Sequence, residues 1–171
     1  MIWSEKEIFK VIHHGESEIV EFKLNFDREA IETLCAFANT RGGYIFIGVT
    51  DAGEIRGIKI GKETIQNWIN QVKLSTANSL IPDADVIQLN DKTVIVISTI
   101  EHPIKPIVCR GRYFKRVKNA NHQMTTSEVA NEHLKTFNSS WDFYTDEIHT
   151  LKDISLEKIR IFIDYRSSHM T

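Results

Sequence analysis

No stretch of this 171-residue sequence stays apolar for the roughly 20 residues a membrane-spanning helix requires, and the N-terminus shows no signal-peptide core. No low-complexity tract and no internal repeat interrupts it. There are two cysteines, Cys35 and Cys109. Cys35 falls on an apolar helix face, so two reduced thiols are expected rather than a disulfide framework. A cytoplasmic protein without membrane association follows from these absences. A further absence concerns charge of one sign. Between Glu101 and Glu128 there is no acidic residue, while Lys105, Arg110, Arg112, Lys115, Arg116 and Lys118 all lie inside that interval. The net charge of −2 argues against binding nucleic acid by bulk charge, so any such binding must come from this local asymmetry.

What is present is an ordinary globular composition, 42% hydrophobic and 26% charged, of a length that suits one domain with a real core. The stretch Ile31 to Gly57 is its centre. Ala30, Ile31, Leu34, Cys35 and Ala38 recur at helical spacing, and Asn39-Thr40-Arg41-Gly42-Gly43 stops that helix. Tyr44 to Val49 reads as an interior strand, and Thr50 to Gly53 as a turn leading back through Glu54 to Gly57, a hairpin.

On either side the pattern continues. Ser4 to His13 predicts a helix with a Ser4/Glu7 capping box and Ile8, Phe9 and Ile12 inward; Gly15 ends it. Ile19 to Leu24 alternates, with Val20 and Phe22 on one face and Glu21 and Lys23 on the other, which predicts a half-buried strand. Asp27 caps the Arg28–Asn39 helix. Thr64 to Asn78 is a helix with Ile65, Trp68, Ile69 and Val72 inward. Val86 to Leu89 and Thr93 to Ile100 are strands joined by Asn90-Asp91. Ile107–Arg110 and Arg112–Val117 are short strands around Gly111. Ser127 to Phe137 is a helix with Val129, Ala130 and Leu134 inward, Asn138-Ser139-Ser140 a loop, and Leu156 to Tyr165 a last helix. Residues 1–140 are therefore read as the domain and 141–171 as a linker and helix leading to a further domain.

Two groups of residues could carry chemistry. Glu16, Glu21 and Asp51 would converge if the first strand lay beside the central one. Carboxylates so placed hold magnesium or manganese at a phosphodiester, and Lys23 would neutralise charge developing on the phosphate. The same residues also read as a solvated strand face with a weak ion pair and an ordinary turn aspartate. In the basic interval, Arg110, Arg112 and Arg116, with Tyr113 and Phe114 between them, read as a β-hairpin bearing guanidinium groups and aromatic rings. Guanidinium forks suit phosphate oxygens and rings offer stacking to bases, although the rings also suit a core. Gly57 to Thr64 looks like a phosphate-binding P-loop but has three residues between its glycines and Glu63 where a hydroxyl must reach the metal, so it is set aside. The seven histidines show no metal-ligand spacing with either cysteine, and no nucleophile triad is visible.

Glu16-Ser17-Glu18-Ile19-Val20-Glu21-Phe22-Lys23, Cys35 through Gly43, Ile47 through Gly53 with Gly57, and Lys105-Pro106 with Tyr113-Phe114-Lys115-Arg116 together resemble the Schlafen-type AlbA-like domain. The resemblance covers Gly15 to Met124, with its blocks in order. It implies an α+β fold, a mixed β-sheet with hairpins packed by several helices. It also implies nucleic-acid binding, DNA ahead of RNA, since bacterial and archaeal members are commonly described as transcriptional regulators with further domains behind this one. Phosphate contact would then fall to Lys105, Arg110, Arg112, Lys115, Arg116 and Lys118. In Schlafen proteins a related domain is a metal-dependent ribonuclease with three acidic residues, which by motif position are Glu16, Glu21 and Asp51; magnesium or manganese would be its cofactor. A third, plainer role is self-association of copies of the chain. One departure stands out: family members often carry Arg-x-Gly-Ser where this chain has Arg116-Val117-Lys118-Asn119.

Overall fold

The computed structural model describes residues 3–77, 79–89, 91–141, 155, 157, 158, 160 and 161, with backbone alone for 137–141. The chain divides into two compact units, Met1–Thr136 and Phe137–Thr171. In the second, residues 157, 158, 160 and 161 are helical; the rest of the expected Leu156–Tyr165 helix, and nearly all of the expected linker, lie outside the described residues.

The first unit begins with α1 (Glu5–His14). Its capping box is formed: Ser4 Oγ accepts from Glu7 N–H at 3.3 Å and Glu7 Oε2 accepts from Ser4 N–H at 2.9 Å. Ile8 and Ile12 are buried, whereas Phe9 is 40% exposed and does not join them. Next come β1 (Val20–Lys23), α2 (Arg28–Ala38) and β2 (Gly43–Ile47). Asp27 caps α2 by accepting from Ala30 N–H at 2.9 Å. β1 and β2 run parallel, Glu21 opposite Ile45 and Lys23 opposite Ile47, with α2 as the crossover that parallel pairing needs.

After α3 (Thr64–Ser75), the strands β3 (Asp83–Leu89) and β4 (Lys92–Thr99) form the expected hairpin across residues 90 and 91, completing a four-stranded sheet of order β1-β2-β4-β3. The antiparallel partner of β2 is thus β4, with Ile45 opposite Ile97. The hairpin expected at Thr50–Gly57 is reduced to a single Val49–Ile55 bridge. Gly48, at φ +98, ends the strand, and its carbonyl accepts from both Arg56 and Gly57 N–H at 2.9 Å, so the chain turns away.

Both faces of this sheet carry apolar packing. Val20, Phe22, Phe46, Val94 and Val96 pack with Ile8 and Ile12; Ile45, Ile47, Ile95 and Ile97 pack with α2. A second, antiparallel sheet covers the other side of α2, made of β5 (Val108–Cys109), β6 (Arg112–Val117) and β7 (Ala120–Gln123). Strand β7 is unexpected, because Ala120-Asn121-His122-Gln123 has no apolar alternation to mark it. Finally α4 (Thr126–Trp141) continues through Asn138-Ser139-Ser140, where a loop was expected; serine and asparagine cost a helix interior only a few tenths of a kcal/mol each. Leu134 is 60% exposed and Ala130 is exposed, so the expected inner face of that helix is not buried here. Cys35 and Cys109 are free and buried; their mutual hydrogen bond, with burial, pushes the Cys35 thiol up. Among the described residues no helix is long and apolar enough to cross a membrane.

Candidate nucleic-acid interface

Glu21 and Lys23 lie on the α2 side of β1, so the second sheet closes over them. Glu21 is 7% exposed and Arg116 3%. Arg116 donates from Nη2 to Glu21 Oε2 and, at 3.3 Å, to the Ser17 carbonyl. From Nη1 it donates to Asn121 Oδ1 at 2.9 Å, and its guanidinium lies 5.1 Å over the Phe37 ring. Asn121 in turn donates to Thr33 Oγ1 of α2 at 2.7 Å. On the other flank Lys23 Nζ sits 3.2 Å from Glu21 and 3.0 Å from Glu29. Burial pulls the Lys23 ammonium down, but the carboxylates of Glu29 and Glu21 outweigh it and hold the group above its ordinary value. A belt of polar side chains therefore ties β1, α2, β6 and β7 together.

Glu16 stands beside this belt, accepting from Phe22 N–H at 3.1 Å. Burial, aided by the charges of Glu21 and Asp51, pushes its carboxyl above the usual glutamate range. Glu16 thus feels the charge of both other acids. The three are not gathered around one point: among the described residues no three His, Cys, Asp or Glu side chains are placed to hold a metal ion. Glu21 has both oxygens engaged by cations already. The donor set does not fit a divalent metal as arranged.

The expected phosphate contacts separate into two kinds. Arg116 is inside, as described, and is corrected from a surface contact to an internal one. Lys115 pairs with Glu128, and Lys105 with Glu101 at 2.6 Å. Phe114 is core and does not offer its ring for stacking, and the half-buried Tyr113 meets the His133 ring edge-on at 6.5 Å. What remains exposed is Arg110 and Arg112 at the β5–β6 turn and Lys118 at the β6–β7 turn. Arg110 is held at φ +48, with Nε donating to Ser75 Oγ at 3.2 Å. Arg112 and Lys118 stand at opposite ends of β6, about 20 Å apart along the strand. Lys118 occupies φ +56, a conformation that suits glycine, which explains why glycine fits this turn so well.

The residues that position β6 were read in the sequence as a helix stop. Asn39 Nδ2 donates to the carbonyls of Ile107 and Phe114, each at 2.9 Å, and Asn39 Oδ1 accepts from Ile107 N–H at 2.6 Å. Thr40 Oγ1 accepts from Arg116 N–H at 2.9 Å and donates to the Ala36 carbonyl. Gly42 follows at φ +72, where a Cβ would lie 2.6 Å from the Thr99 carbonyl oxygen. The block is a clasp between the end of α2 and both sheets. The signal was the Asn-Thr pair before the glycines; its long-range partners are invisible in a local pattern.

The family described as Schlafen, AlbA_2 matches residues 16–125. No curated protein matches the chain. Among solved structures, the chain is similar to the DIP2311 protein from Corynebacterium diphtheriae, at 18% identity and a TM-score of 0.54 over 67% of this chain; it spans 23% of that protein. It is also similar to the N-terminal domain of a protein from Nitrosomonas europaea described as ATP-dependent DNA helicase RecG-related. That likeness has 19% identity and a TM-score of 0.52, covering 72% of this chain and 95% of the other.

Proposed function

The chain belongs to the Schlafen, AlbA_2 family, and from that premise we propose that it is a nucleic-acid-binding module, taking duplex DNA, in a cytoplasmic transcriptional regulator. The observation that carries this reading is the placement of Arg110, Arg112 and Lys118 at the two turns of a sheet whose sequence neighbourhood holds no carboxylate from residue 102 to 127. The clasp from Asn39 and Thr40 and the internal Arg116 hold β6 in place, so the turns meet a phosphate backbone without first being ordered. Similarity to a domain of a RecG-related protein favours DNA as the partner. Fluorescence anisotropy with a labelled duplex tests the reading: binding that weakens as salt rises supports it, and no binding at low salt refutes it.

The alternative, a divalent-metal RNA endonuclease with Glu16, Glu21, Asp51 and Lys23, has in its favour that Glu16 feels the charges of both Glu21 and Asp51. Against it stands the engagement of Glu21 by Arg116 and Lys23, and no cleavage step is derived from that arrangement. Structured RNA incubated with manganese or EDTA separates the readings. Manganese-dependent cleavage that Asp51→Asn abolishes would move the function to the acids.

A further inference from the structure

The stretch set aside as a false P-loop forms one wall of a second cationic surface. A groove of about 670 Å³ runs between residues 56–60 and the β3–β4 turn. Arg56 and Lys59 line one side, Lys92 and Thr93 the other, and Asp91 is the single carboxylate among its lining residues. We propose that this groove binds the phosphate backbone of a nucleic-acid strand, as a contact separate from the β5–β6–β7 turns.

Its walls are fixed by the fold. Ile58 and Ile60 pack against the core of the first unit, so Lys59 between them is turned out to solvent. Arg56 and Gly57 N–H both bond to the Gly48 carbonyl, and Ile58 N–H donates to Thr93 at 2.8 Å. Gly57 sits at φ +75, and a Cβ there would lie 2.9 Å from Lys92 Cβ; the glycine lets the two walls approach. Lys92 Nζ donates to the Ile55 carbonyl at 2.7 Å, which places its ammonium at the rim with further protons to give.

The cations are available. Lys59 has no carboxylate partner among the described residues, nor has the neighbouring Lys62, while Arg56 holds only the exposed Glu54 at 2.8 Å, a pair that phosphate readily displaces. Gln88 and Thr93, hydrogen-bonded to each other at 3.0 Å, add neutral donors beside the cations for sugar or phosphate oxygens.

The proposal rests on the nucleic-acid reading of the chain, not on the turns. It is tested by following the amide NMR signals of the isotope-labelled chain during titration with a short duplex DNA, and separately with inorganic pyrophosphate. Shifts at Gly57, Lys59, Lys92 and Thr93 with DNA are expected. The double variant Arg56→Gln/Lys59→Gln, both residues being exposed, should bind DNA roughly tenfold more weakly and lower the salt slope by about 2. Shifts confined to residues 110–112 and 118 overturn the groove and leave the turn reading standing. Shifts confined to the groove uphold it and overturn the turns. Movement with pyrophosphate and none with DNA overturns the proposal in favour of a small phosphate ligand, and an unmoved spectrum with DNA overturns both.

Discussion

Arg116 of β6 donates to the carboxylate of Glu21 on β1, 95 residues earlier, with both side chains out of solvent. The charge pattern assigns this arginine to phosphate; the fold uses it to join two sheets. Removing one partner of a buried pair leaves the other uncompensated. Arg116→Ala should therefore lower stability by about 3–5 kcal/mol in urea unfolding. Arg116→Lys should recover little, since a single ammonium cannot reach Glu21, Asn121 and the Ser17 carbonyl together. A folded, stable Arg116→Ala protein that has lost only DNA affinity would return the residue to the surface role.

Asn39 supplies the second join. Asn39→Asp keeps the shape but removes both N–H donors from the Ile107 and Phe114 carbonyls and buries a charge. A loss of about 3 kcal/mol is expected from the unpaired groups alone. Urea midpoints of the variant and the parent measure it; equal midpoints would show that the clasp contributes nothing.

Lys118 separates stability from binding. At φ +56 a glycine removes the strain of a left-handed lysine, so Lys118→Gly should stabilise the chain by roughly 0.5–1 kcal/mol. The same change removes a phosphate contact and should lower the salt slope of DNA binding by about 1. Thermal unfolding and anisotropy on one variant check both directions.

Two glutamates titrate in opposite senses. Glu128 is drawn down to about 2 by Lys115 and the Thr125 cap. Its folded value is lowered, so its contribution is complete above the ordinary value of 4.5 and is lost as pH falls toward 2. Glu128→Gln should lower Tm at neutral pH, and the difference should close in acid. Glu16 is raised, so its ionisation opposes folding once pH passes its ordinary value, and protonation relieves this. Asp51→Asn should lower the Glu16 value measured by carboxyl NMR; an unchanged value would place the two groups out of reach.

These cases also show where local pattern ends. The Ser4/Glu7 box, the Asp27 cap and the bounds of β6 depend on residues a few positions apart, and all were legible. The alternation of β1 correctly divided Val20 and Phe22 from Glu21 and Lys23. It could not tell that the polar face is covered, because the cover is Arg116, far along the chain. Asn39 read as a helix stop for the same reason. Strand β7 has no apolar period; it forms because Lys118 and Asn119 turn the chain and Asn121 bonds Arg116 and Thr33. Leu134 shows the converse error, a helical apolar position that is 60% exposed among the described residues.

The proposed binding is of phosphate by the exposed cations of the β5–β6–β7 sheet. The salt dependence of duplex affinity, measured by anisotropy for the parent and for Arg112→Ala/Lys118→Ala, tests it most directly. Log affinity should fall linearly with log salt, and the double variant should have a slope smaller by about 2. An affinity independent of salt, or a slope the double variant leaves unchanged, would contradict it.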